Sequence, residues 1–139
     1  KWISLDHLSI VGSDKSNGDE RKAIDSIMTN LRKLVQETGV GLFLVSHLKR
    51  SNGTAHEDGG KISLSELRGS QSIAQLSDIV IGLERDQQNK DPQVRNTTTI
   101  RVMKNRFCGL TGLACYLYYD KDSGRMIETT CPVEDEVEF

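Results

Sequence analysis

Apolar residues at Trp2, Ile3 and Leu5 lead into Asp6, and Leu8, Ile10 and Val11 carry the run to the polar stretch Gly12-Ser13-Asp14-Lys15-Ser16-Asn17-Gly18. A short apolar run closed by turn-forming residues predicts a buried strand with a carboxylate at its carboxyl end. From Asp19 to Thr38 the period changes. Ala23, Ile24, Ile27, Met28, Leu31, Leu34 and Val35 follow the i, i+3, i+4, i+7 spacing of an amphipathic helix, with Asp19 and Glu20 suited to its amino end and Gly39 to its stop. Val40 to Val45 is again continuously apolar, between Gly39 and Ser46, and predicts a strand covered on both faces. Strand, helix and strand in that order define a parallel crossover unit.

Residues 49 to 62 have no hydrophobic period and are rich in Lys, Arg, Ser, Asn, Gly and His, which predicts a surface loop of the kind that often carries function. A short helix from about Ser65 or Ser70 to Ser77 follows. Asp78 to Leu83 then predicts a further buried strand that completes a third crossover. Beyond the polar segment Glu84 to Asn96, alternating strands at Thr97 to Lys104 and Leu113 to Tyr119, with a Gly-rich turn at Cys108 to Gly112, predict an antiparallel meander. The expected fold is α/β: a parallel sheet with crossover helices, then antiparallel strands.

Composition narrows the class. With 139 residues, 36% hydrophobic, 27% charged and 5% aromatic, the chain suits a globular domain and excludes a collagen, a mucin or a wholly disordered tail. No apolar run approaches the roughly 18 to 20 residues of a membrane span, and no signal peptide opens the chain, so no membrane association is expected. Cys108, Cys115 and Cys131 have neither disulfide-framework nor zinc-ribbon spacing, which points to a reducing compartment. The net charge of −2 hides an asymmetry. Residues 126 to 139 hold five acids and no base, leaving a mildly basic body. Residues 1 to 130 read as one domain and 131 to 139 as an acidic, disordered tail. The start at Lys1-Trp2, without Met and directly in an apolar run, is expected of a fragment of a longer protein.

Several residues carry candidate chemistry. Asp6, at the end of a parallel strand, occupies the ligand-facing edge of an open α/β sheet, where a carboxylate can hold Mg²⁺ through water; a capping or loop carboxylate is the structural alternative. His47 ends the next strand and would face the same edge, unless it is simply a satisfied polar group. Lys49, Arg50, Lys61 and Arg68 bracket the loop, forming either a nucleic-acid backbone patch or a solvated loop. Lys104 and Arg106, two apart at a strand end, would share a face and could stabilise charge on a transferring phosphoryl group; edge cations that discourage aggregation are the alternative. Arg85 with Tyr119, or Tyr116 with Tyr118 on the opposite face, could stack on a planar base, or serve packing. No G-x-x-x-x-G-K-[ST] phosphate loop occurs, the nearest string being Gly59-Gly60-Lys61-Ile62.

In order and spacing, Trp2 to Val11, Val45-Ser46-His47-Leu48-Lys49, Leu67-Arg68-Gly69-Ser70, Gln75-Leu76-Ser77-Asp78, Leu83-Glu84-Arg85, Lys104-Asn105-Arg106-Phe107-Cys108-Gly109 and Thr111-Gly112 resemble DnaB-like replicative helicases. The likeness covers nearly the whole chain and is strongest to the helicase half of bacteriophage primase-helicases. It implies the carboxyl-terminal half of a RecA-like core. Such a core forms a homo-oligomeric ring, expected to be a hexamer, hydrolyses ATP or dTTP with Mg²⁺ between subunits, and moves on single-stranded DNA to unwind duplex in the 5′ to 3′ sense.

Carried over residue by residue, Asp6 is the Walker aspartate for Mg²⁺, His47 the γ-phosphate sensor, and Arg106 the arginine finger, assisted by Lys104. Arg85 and Tyr119 match the pair that sandwiches the base. Gln75 matches a relay position near the DNA loop, and the stretch with Lys49, Arg50, Lys61 and Arg68 corresponds to the loop that contacts DNA. Ala74 departs from the pattern, since a phage relative commonly has a base there. Relatives of the phage type also end in an acidic tail with a terminal aromatic that docks on the replicative DNA polymerase. Glu134, Asp135, Glu136, Glu138 and Phe139 would do so here, with Val137 as a further apolar anchor. The implied location is the cytoplasm of an infected bacterium, and the chain without a phosphate loop is expected to be inactive as an ATPase. A RecA-type recombinase-like ATPase and a non-enzymatic DNA- or polymerase-binding module are the competing readings.

Overall fold

The computed structural model describes residues 1–8, 20–48, 55–56, 58–67 and 71–132. Lys49, Arg50 and Arg68 lie outside the described residues, as do the tail residues Glu134, Asp135, Glu136, Glu138 and Phe139 and the apolar anchor Val137. The chain divides into two compact units. One comprises Lys1–Lys49 and Ser63–Asp78, the other Arg50–Ile62 and Ile79–Phe139.

In the first unit β1 (Trp2–Leu5) and β2 (Gly41–Leu44) pair in parallel, Trp2 opposite Gly41 and Leu5 opposite Leu44, and α1 (Glu20–Thr38) is the crossover between them. The pairing is extended where the Val45 N–H donates to the Leu5 carbonyl at 3.0 Å and the Leu8 N–H to the Val45 carbonyl at 2.9 Å. Gly39 stops α1 as its position requires: at φ +67° it is left-handed, and its N–H donates to the Val35 carbonyl at 2.9 Å. The apolar stripe of α1 buries Ile24 and Met28 with Leu8 and Ile73, and Ile27, Leu31, Leu44, Leu67 and Leu76 pack around them. Ile73 comes from α2 (Ser72–Leu76), which follows a 3₁₀ turn at Leu64–Glu66. Arg32 of α1 holds the Asp78 carboxylate at 2.6 Å, tying the helix to the end of that segment.

The second unit is a four-stranded antiparallel sheet in the order β3 (Ile79–Glu84), β4 (Thr97–Asn105), β5 (Gly112–Asp120) and β6 (Arg125–Thr129). A four-residue helix, α3 (Pro92–Arg95), connects β3 to β4. Pro92 starts α3, where its missing N–H costs nothing, and the Asp91 carboxylate caps it by accepting the Gln93 N–H at 2.8 Å. Register shifts at Val80/Ile81 and Ile100/Arg101 mark irregularities in the ladder.

Two expectations are corrected. The strands of the first unit are not covered on both faces: Trp2 is 73% exposed and Phe43 59%, their rings stacked at a centroid distance of 5.1 Å, while only the Leu44 side packs on the core. Nor does β3 extend a parallel crossover. It pairs antiparallel with β4, with Val80, Gly82 and Glu84 more enclosed than Ile79, Ile81 and Leu83. An apolar run reports strand propensity but not strand direction, and the short α3 connection permits an antiparallel return.

Candidate functional site

The first unit brings Asp6 and His47 to neighbouring strand ends, as the parallel pairing of β1 and β2 demands. The Asp6 carboxylate is 75% exposed, and Oδ1 lies 4.0 Å from Nδ1 of His7. His7 reaches on to His47: the two imidazoles meet edge to face, centroids 4.3 Å apart and planes at 70°. The Asp6–His7 peptide bond is cis. One open carboxylate beside an imidazole that in turn meets a second imidazole gives a small polar edge able to meet an anionic ligand and its cation.

Among the described residues no group of three His, Cys, Asp or Glu side chains could hold a metal ion. A lone exposed carboxylate nevertheless fits Mg²⁺, which keeps several of its waters and takes few protein oxygens. Asp6 would hold the ion through water, and the ion would supply charge neutralisation at phosphate oxygens.

Gln75 is placed elsewhere in the same unit. It lies on α2 and lines a cavity of about 440 Å³ with Arg21, Asp25, Leu64, Ser65, Leu67, Gln71 and Ser72. Neither Asp6 nor His47 is part of that wall.

The other candidates belong to the second unit. Arg85 and Tyr119, distant in sequence, converge on Asn96. The Arg85 Nε donates to the Arg95 carbonyl at 2.7 Å and Nη2 to the Asn96 side-chain oxygen at 3.4 Å, while the Tyr119 N–H donates to the Asn96 carbonyl at 2.8 Å. Asn96 is buried, and Tyr119 meets it through its main chain while its side chain is exposed. Tyr116 and Tyr118 are half-buried. Lys61 is exposed at the end of the loop segment.

Lys104 lies on β4 opposite Val80, but Arg106 is not on the strand. The expected shared face is corrected, because β4 ends at Asn105 and the period of two ends with it. The Asn105 side-chain oxygen accepts the N–H groups of Phe107 at 3.1 Å and Cys108 at 3.4 Å, and its carbonyl accepts the Gly109 N–H at 2.9 Å. An Asx-type turn therefore carries Arg106, exposed, at the tip between β4 and β5. Gly109, at φ +72°, suits that turn.

Sequence reasoning missed one feature of this unit. Glu84, the last residue of β3, is 9% exposed, and Arg101 of β4 grips its carboxylate, Nη2 to Oε2 at 3.2 Å. The available signal was an acid at the end of an apolar strand with a base on the following one.

Comparison with known proteins gives the family to which these residues belong. The model of the DnaB-like helicase C terminal domain matches residues 1–126, and the chain belongs to that family. It is 46% identical over 123 residues to the DNA helicase/primase of Enterobacteria phage T3, covering 88% of this chain and 21% of that protein. To the replicative DNA helicase DnaB of Geobacillus stearothermophilus it is 32% identical over 106 residues, 75% of this chain and 23% of the relative. The chain thus spans about a fifth of the curated relatives it matches. Among solved structures, one of a DnaB-like replicative helicase and its interactions with primase overlays with a TM-score of 0.73 at 25% identity, over 91% of this chain and 29% of the other. These matches support the RecA-like α/β architecture expected from the sequence.

Proposed function

We propose that this chain is the carboxyl-terminal part of the motor of a replicative DNA helicase, coupling NTP hydrolysis to movement along single-stranded DNA and to duplex unwinding. The observation that carries the reading is the meeting of Asp6, His7 and His47 at adjacent parallel strand ends, in a chain whose family model covers residues 1–126. Asp6 holds Mg²⁺ through water beside the phosphates of ATP or dTTP. His47, in ring contact with His7, senses the terminal phosphate. Arg106, presented on a turn closed by Asn105, reaches a neighbouring subunit's nucleotide in a hexameric ring and stabilises charge developing during phosphoryl transfer, with Lys104 assisting. Arg85 and Tyr119 hold the base, a role favoured by their convergence at Asn96.

Lys49, Arg50, Lys61 and Arg68 neutralise DNA phosphates, and Gln75 relays between the loop and the site. The acidic end, Glu134 to Phe139, tethers the replicative polymerase. Primase is a further partner, because the structural relative interacts with one. The reading places the protein in the cytoplasm of an infected bacterium; no described helix is long and apolar enough to cross a membrane.

The test is an assay of the full-length parent for NTP hydrolysis and strand displacement. NTP hydrolysis stimulated by single-stranded DNA and displacement of a tailed duplex are expected, both weakening steeply with salt because phosphate contacts release counterions. Strand exchange without displacement would favour a recombinase-like ATPase instead, and DNA binding without hydrolysis a non-enzymatic module.

A further inference from the structure

A carboxylate buried in a sheet is costly unless charge and hydrogen bonds surround it, and Glu84 is surrounded on both oxygens. Oε1 accepts the Ile62 N–H at 3.0 Å and the Arg101 Nε at 3.2 Å; Oε2 accepts the same Nε at 3.3 Å and Nη2 at 3.2 Å. Glu84 thereby joins two stretches of chain that β-pairing does not connect. Ile62 closes the loop segment, directly after the exposed Lys61. Arg101 lies on β4, the strand that runs on through Lys104 to the Arg106 turn.

A second tie lies close by. Asp58 and Asp86 form an antiparallel bridge, and a Cβ on Gly59, which has φ +83°, would approach the Asp86 side chain to 3.3 Å. The segment 58–62 is therefore fastened at two points to the end of β3. From Arg101 to Asn105, where the turn that carries Arg106 begins, the extended chain of β4 spans roughly 13 Å, a distance a paired strand transmits as a stiff element.

We propose that Glu84 is a positioning residue that locks the segment 58–62 to the strand leading to the Arg106 turn, so that Lys61 and Arg106 shift as one body. This rests on the helicase reading above. A displacement of Lys61 and its segment by single-stranded DNA is then passed to the finger turn through the Glu84–Arg101 fork, and a change at the finger is passed back to Lys61. Glu84 touches neither nucleotide nor DNA; it acts through Lys61 and β4.

The experiment uses the full-length parent and an oligothymidylate as the single-stranded DNA probe. Glu84→Gln keeps an oxygen for the Ile62 N–H and removes the charge that holds Arg101; Arg101→Lys keeps the charge and removes the fork. Each variant is expected to assemble as the wild type does and to hydrolyse NTP without DNA within about twofold of it, while DNA stimulation falls about tenfold and more NTP is consumed per base pair opened. The double variant should lose no more stimulation than the worse single one, since both changes break the same link. Unchanged stimulation in an assembled variant would overturn the proposal. So would an equal fall in turnover with and without DNA, the mark of a role in stability only. Should Glu84→Gln fail to fold, Arg101→Lys decides by the same comparison. Absence of DNA-stimulated hydrolysis in the wild-type parent would instead sink the helicase reading itself, a separable result.

Discussion

The two units bury different chemistry. Among the described residues, the buried large apolar side chains, Leu8, Ile24, Met28 and Ile73, all belong to the first unit, and the buried polar side chains, Glu84, Asn96 and Thr97, all belong to the second. The first unit is organised by an amphipathic helix of 19 residues against a parallel strand pair, where non-directional packing sets position. The second is organised by hydrogen bonds aimed at particular atoms: Glu84 on Ile62 and Arg101, Arg85 on Arg95 and Asn96, and the Thr97 hydroxyl on the Gln93 carbonyl at 2.7 Å. Packing tolerates substitution when volume is kept, whereas a buried hydrogen-bond network tolerates little, because each unpaired group bears its full desolvation cost. The strand-end residues Asp6 and His47 thus stand on a packed base, and the cations Arg85, Lys104 and Arg106 on a bonded one.

Three substitutions sharpen or break this contrast. Met28→Ala should cost the first unit about 2–5 kcal/mol, and Met28→Leu less than about 1.5, read from amide exchange along α1 in the parent protein. Equal losses for both would show that shape rather than volume governs that core. Asn96→Leu should cost the second unit about 1–3 kcal/mol despite its added apolar bulk, because the Arg85 Nη2 loses its side-chain acceptor; amide exchange of Tyr119 and the α3 turn reports it. A neutral outcome would remove the claim that bonds organise this unit.

The smallest effect lies at the turn between β5 and β6. The Ser123 hydroxyl, and then the Asp122 N–H, hold the Asp120 carboxyl below its ordinary value of 3.8. A depressed folded pKa means that the contribution is complete above that ordinary value and is lost as pH falls through the lowered one. Protection of the Ser123 amide relative to its intrinsic exchange rate should therefore fall only at a pH below the ordinary value of 3.8 in the wild type and show no such step in Asp120→Asn. A step that survives the substitution would assign the titration to another group.

Legibility followed the same divide. Periodicity located α1 within a residue of its start, and the alternation of Thr97 to Lys104 and Leu113 to Tyr119 located β4 and β5, because each pattern repeats over several turns or pairs. The placement of Asp6 and His47 on one edge was legible too, since two parallel strands joined by a crossover helix must end there. Burial of both strand faces was not: Trp2 and Phe43 show that an apolar run does not reveal which face is covered. The departure of Arg106 from the β4 face depended on Asn105 folding back on its own chain. Convergence of Arg85 and Tyr119 on Asn96, and of Arg101 and Ile62 on Glu84, required the strand register, which no local pattern encodes.

The most direct test of the helicase account is Arg106→Ala in the full-length parent, with ring assembly and NTP turnover measured on the same preparation. Arg106 sits exposed on a turn held by Asn105, so the substitution should leave assembly intact while turnover falls by about 10³-fold or more, the scale of a lost arginine finger. Turnover unchanged in assembled rings would contradict the account.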